Sequence, residues 1–201
     1  MNNINNDHFN RNDINQNTSP TLTIGSLMTS ATIQTDKASV RASHASQGRV
    51  RKLFAAFLRT SQDSSAIILR LGLAVTMFPH GAMKVLGWYG GWGFSKTLEA
   101  FTQGGMPLPL ALAVMAAEFL GPFALLAGFF TRFTAFGIGM VMLGAVGMVH
   151  IHNGFFMNWM GTQKGEGIEY FIPVIAIALV LLVKGGGRWA LDGYLSRKIE
   201  A

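Results

Sequence analysis

Four ionisable side chains fall inside stretches apolar enough to enter a lipid bilayer: Arg70, His80 and Lys84 within residues 66–86, and Glu118 within residues 108–130. Charges at membrane depth are costly, and they usually face a bundle interior or a wet cavity, where they pair. A carboxyl beside an imidazole in such a place can hold or pass a proton near working pH, or donate to a quinone carbonyl. His80 and Lys84 are four residues apart and share a helix face. With a rise of about 1.5 Å per residue, counting from residue 86 puts His80 about 9 Å deep and Lys84 about 3 Å. Counting from residue 108 puts Glu118 about 15 Å deep, roughly one helical turn from His80. The expectation is a buried, hydrogen-bonded Glu118–His80 pair able to act catalytically, with Lys84 and Glu169 at its outer rim as ligand-binding or proton-relay groups. The plainer alternative is a polar clasp without turnover.

The remaining polar residues read as structural. Arg70 lies about 24 Å from the outer face, where it can snorkel to cytoplasmic headgroups or pair with the end of a neighbouring helix. Arg132 is a turn and topology residue. His150 and His152 point about 200° apart on a helix and could chelate together only if the helix unwinds there, so a structural or interfacial role is expected. A haem held by His80 and His150 is allowed by depth but not favoured, and no metal site is expected. Met77, Met83, Met140, Met142 and Met148 are packing residues; a copper site would need histidines at matching depth.

The elements that carry these residues follow from composition. Of 201 residues, 50% are hydrophobic and only 13% charged, against about 25% charged in soluble domains. Four apolar runs, 66–86, 108–130, 133–152 and 168–183, approach the roughly 20 residues needed to cross about 30 Å of hydrocarbon. Thr131-Arg132 leaves so short a turn that the second and third runs must be antiparallel neighbours. Ala135, Gly137, Gly139, Gly144, Ala145 and Gly147 give the third run a small-residue surface that lets helices approach closely. The fold class expected is an all-α membrane protein, an antiparallel four-helix transmembrane bundle with a disordered N-terminal tail. Residues 1–48 are polar and aperiodic, and are expected to be disordered, with no cleaved signal peptide. Residues 49–59 carry Leu53, Phe54, Phe57 and Leu58 at helical spacing among basic residues. They read as a basic flank or as an amphipathic helix on anionic headgroups. Residues 193–201 read as a basic tail. Aromatics in 88–94 and 155–159 suit interfacial anchoring, or a roof over an outer pocket.

The net charge of +6 does not point to nucleic acid, because the basic residues flank apolar runs. Arg49, Arg51, Lys52, Arg59, Arg132, Lys184, Arg188, Arg197 and Lys198 fall on one side, against Lys84, Lys96 and Lys164 on the other. Both termini are therefore expected in the cytoplasm. The chain has no cysteine, which removes dithiol redox chemistry, thiolate nucleophiles and iron–sulfur ligation.

Over residues 64–192 the chain resembles the DoxX family of small four-helix membrane proteins. The resemblance rests on Arg70, His80-Gly81-Ala82-Met83-Lys84, Gly104-Gly105-Met106-Pro107, Glu118-Phe119-Leu120-Gly121, Gly128-Phe129-Phe130-Thr131-Arg132 and Gly167-Ile168-Glu169. It closes with Gly185-Gly186-Gly187-Arg188-Trp189-Ala190-Leu191-Asp192. Pro79 and Gly186 depart from the family pattern. The resemblance implies a bacterial plasma-membrane protein linked to respiratory or sulfur-oxidising redox, or to complexes that handle oxidative stress. The expected function is a membrane subunit of a quinone-linked redox assembly, with the lipid bilayer, a membrane or redox protein, and further copies of the chain as partners. Quinone is the only cofactor suggested. A non-catalytic scaffold and an oligomeric proton-coupled carrier are the alternatives.

Overall fold

The structure, a computed structural model, describes residue 41 and residues 45–201, and the expectation for the other N-terminal residues lies outside that range. From Gly48 onward the chain forms one unit. Within it the helices are α1 (residues 48–58), α2 (Ser65–Val85), α3 (Gly93–Gln103), α4 (Leu108–Ala127), α5 (Thr131–Ala145), α6 (Phe171–Lys184) and α7 (Leu191–Glu200). No strand occurs among the described residues.

Among the described residues, three segments are long and apolar enough to cross a membrane: Ser65–Val85, Leu108–Ala127 and Thr131–Asn153. The last runs beyond α5 through a π turn at Val146–His150 and a 3-10 turn at Ile151–Asn153. α6 is apolar but only 14 residues long, because the first residues expected in the fourth run remain in the preceding loop. α2 packs against α4 and α6, and α5 against α4 and α6. Their shared core includes Leu73, Met77, Leu125, Ile138, Met142, Phe171 and Leu181. The outward faces carry large apolar residues such as Ile68, Val75, Leu120, Phe133, Leu143 and Val183, a surface suited to lipid.

The α2–α4 contact has a specific cause. A side chain on Gly81 would overlap the backbone of Glu118 and Phe119, so only glycine lets the helices meet this closely. Pro122, inside α4, has no N–H to offer the carbonyl four residues earlier, which is that of Glu118. This close contact of the two helices falls where α4 carries its only acidic residue.

The opposite end of the molecule is tied by polar groups. α4 ends at Gly128 with φ +65, and Phe130 adopts φ +46, a conformation bulky residues rarely take. Asp192, 62 residues beyond Phe130, accepts hydrogen bonds from Phe130 N–H at 2.6 Å and Thr131 N–H at 2.8 Å. It thereby caps the first turn of α5, where negative charge is favoured. Arg132 donates to the carbonyls of Leu182 at 2.8 Å and Arg59 at 3.1 Å.

The C-terminal segment expected as a tail is instead helix α7, docked on α1. Ser196 donates to Ala55 O, Arg51 to Ile199 O, and Arg59 pairs with Glu200. Its charged composition is misleading because Gly193 and Ser196, both small, form a buried face. The stretch 49–59 is largely helical, with Ala55 and Leu58 buried and Leu53, Phe54 and Phe57 exposed.

Ahead of α2, Asp63 accepts from Ser65 N–H at 2.9 Å and from Lys184 Nζ at 3.0 Å. The backbone hydrogen bond and then the lysine lower its carboxyl from 3.8 to about 2. Because the folded value is depressed, the stabilisation is complete above about pH 4 and is lost as pH falls towards 2. Melting temperatures of wild type and Asp63→Asn, taken from pH 5 down to pH 2, should differ at the top of that range and converge at the bottom. A constant gap would contradict this assignment.

Candidate functional site

Where α2, α5 and α6 approach the loop at 153–170, a cavity of about 280 Å³ opens. His80 and Lys84 come from α2, Glu118 from α4, Phe171 from the start of α6, and Tyr170 from the residue before it. The fold thus brings His80, Lys84 and Glu118 to one cavity. Glu118, 4% exposed, forms an ion pair with Lys84 Nζ. Among the described residues no other hydrogen-bond donor reaches its Oε2. The direct partner of Glu118 is therefore Lys84, the residue expected at the rim, and not His80. A flexible four-carbon stem lets the ammonium reach inward from a shallower position than the imidazole holds. His80 lies beside the pair, with its Nε2 at 3.5 Å from the Tyr170 hydroxyl.

Glu169 is directed elsewhere. Its Oε2 accepts from Met157 N–H at 3.2 Å, and its own N–H donates to Phe155 O at 2.8 Å. Glu166 lines the cavity, and its Oε2 accepts from Asn158 N–H at 2.7 Å. Both carboxylates thus fold the loop back on itself.

Arg70 is outside the cavity lining and only 4% exposed, so it does not snorkel. Its guanidinium packs against Gly128 at the C-terminal end of α4, where the helix dipole favours a cation. The Asp192 carboxylate is the acidic group whose field reaches it. Arg132 serves the α5–α6 and α5–α1 ties described above. Trp88, Tyr89, Trp92 and Trp159 are exposed and outside the cavity wall, as anchors would be.

Two further cavity residues escape sequence reasoning. Tyr170 carries no motif signal and becomes visible only once the loop at 153–170 is folded back on α2. His150 is expected to be structural or interfacial because it points about 200° from His152, and regular helix geometry sets it about 80° from Met142. The π turn widens the helix by about one residue per turn and carries His150 round to the same wall as Met142. Its Nδ1 lies 2.8 Å from Glu166 O. A carbonyl can only accept, so Nδ1 carries a proton, and in the neutral imidazole Nε2 is then the free lone-pair site.

A membrane protein, helical over the described residues, with a largely buried ion pair facing a partly open cavity is the class these features define. Residues 65–151 match the DoxX family model. It is 27% identical over 145 residues to inner membrane protein YqjF of Escherichia coli K12, covering 70% of this chain and 99% of that protein. It is also 27% identical over 143 residues to an uncharacterized protein of Haemophilus influenzae, covering 66% of this chain and 84% of that one. No solved structure matches.

Proposed function

We propose that the chain is a four-span inner-membrane subunit of a redox assembly, whose cavity takes the headgroup of a quinone. α2, α4, α5 and α6 cross as an antiparallel bundle with both termini cytoplasmic, in keeping with the distribution of Lys and Arg. α6 rises only about 21 Å. Irregular backbone at membrane depth is tolerated where it lines a protein cavity, which suits the loop before α6.

The observation that carries the reading is the Lys84–Glu118 pair beside His80 in a cavity of about 280 Å³. A cavity of about 150 Å³ holds benzene, so this one has room for a substituted ring while an isoprenoid tail stays in lipid. Lys84 and His80 can donate to a quinone carbonyl, and Glu118 can exchange the accompanying proton. The electron donor resides in a partner, since this chain has no cysteine to ligate an iron–sulfur cluster. A scaffold without turnover is the second reading, favoured by the way Lys84 and Glu118 satisfy each other.

Equilibrium dialysis of a short-chain ubiquinone against the detergent-purified chain tests this directly. Binding per folded chain should weaken about tenfold or more in Glu118→Gln, equivalent to about 1.4 kcal/mol. Equal binding by the variant and wild type would exclude the pair from ligand recognition.

A further inference from the structure

We infer that the same cavity carries a second, soft face that binds Cu(I). Met77, Met142 and Met157 line it together with His80 and His150, although these residues come from α2, α5, the π turn and the loop before α6. The inference goes beyond the quinone reading, which has no use for thioethers.

Thioether and imidazole ligands select Cu(I), whereas carboxylates and carbonyls suit harder ions. The carboxylates nearby are already committed, Glu118 to Lys84 and Glu166 to Asn158 N–H. What the wall leaves is a set of sulfur and imidazole donors, of which Met77 and Met142 are packed in the core and would turn their thioethers to the ion. His150 is prepared for the role: its Nδ1–H is held by the Glu166 carbonyl, the outer partner that typically fixes the tautomer of a metal-binding histidine. The π turn supplies the positioning, and such turns frequently mark functional sites. The depth condition that argues against copper from sequence is met once His80 and His150 share one cavity with the methionines. A monovalent ion also adds less charge to a low-dielectric site than a divalent one.

The test is anaerobic titration of the full, detergent-purified chain with Cu(I) delivered from a chromophoric chelator. One Cu(I) per chain should be withdrawn, with both sulfur and imidazole scatterers in its X-ray absorption spectrum. The Met77→Leu/Met142→Leu double variant, which removes two direct ligands, should lose more than the roughly 10–100-fold that loss of an outer partner costs. Met148→Leu and Met160→Leu, at exposed sites, should bind as wild type does. Saturating Cu(I) should raise the melting temperature of wild type, while Zn(II) should not. That measurement stands if the double variant fails to fold. Copper binding without sulfur scatterers, or lost in the exposed-site variants, overturns the proposal. So does equal stabilisation by Zn(II), or none by Cu(I). Glu118→Gln should keep Cu(I) while losing quinone, so failure of one reading is distinguishable from failure of the other.

Discussion

Lys84→Met should destabilise the protein by about 3–5 kcal/mol, the usual cost of leaving one member of a buried ion pair without its partner. The Glu118 side chain is only 5% exposed and Lys84 is 25% exposed. The burden is therefore asymmetric, because an unpaired Lys84 can turn to the cavity and its water, whereas an unpaired Glu118 cannot. Glu118→Gln should accordingly cost less, about 1–3 kcal/mol. The Lys84→Met/Glu118→Leu double variant should recover much of the loss, since an apolar pair of similar volume often replaces a buried ion pair at little cost. Unfolding in mixed detergent micelles gives the three values. Additive single-variant costs would mean that the two residues do not act as a pair.

Asp192→Ala should be comparably severe at the other end of the molecule. It removes the acceptor for Phe130 N–H and Thr131 N–H and the negative field near the buried Arg70. It also leaves Phe130 at positive φ without the bond that holds it there. Two buried donors left unsatisfied cost about 2–6 kcal/mol, which corresponds to a melting temperature lower by about 4–24 °C at this chain length. Asp192→Asn keeps one acceptor and should fall between. A shift of under about 2 °C for the alanine variant would show that the turn holds itself.

Span positions are legible in the sequence because they depend on length and apolarity alone. The runs expected at 66–86 and 108–130 correspond to Ser65–Val85 and Leu108–Ala127. Rise per residue sets His80 within roughly one helical turn of Glu118 in depth, but it misses that Lys84 reaches in to pair with the carboxylate. What is not legible depends on departures from regular geometry or on distant pairing. His150 needs a π turn that no residue pattern announces. Glu169 looks available at the end of a span, but the loop uses its carboxylate for Met157 N–H. Asp192 acts across 62 residues, and α7 is held by α1 and not by its own composition. Arg70 can be placed in depth from the sequence, but its burial depends on the space that Gly128 leaves open.

The reach of Asp192 has a consequence for biogenesis. At about 5–20 residues per second, the ribosome adds residue 192 roughly 3–12 s after residue 130. During that interval α4 and the first turn of α5 exist without their cap, and Phe130 holds its left-handed backbone unsupported. Closure of that end therefore waits for a segment made well after the helices it joins. A nascent chain halted just before residue 190, with residues 128–131 clear of the ribosome, should be more open to protease there than one released after α7.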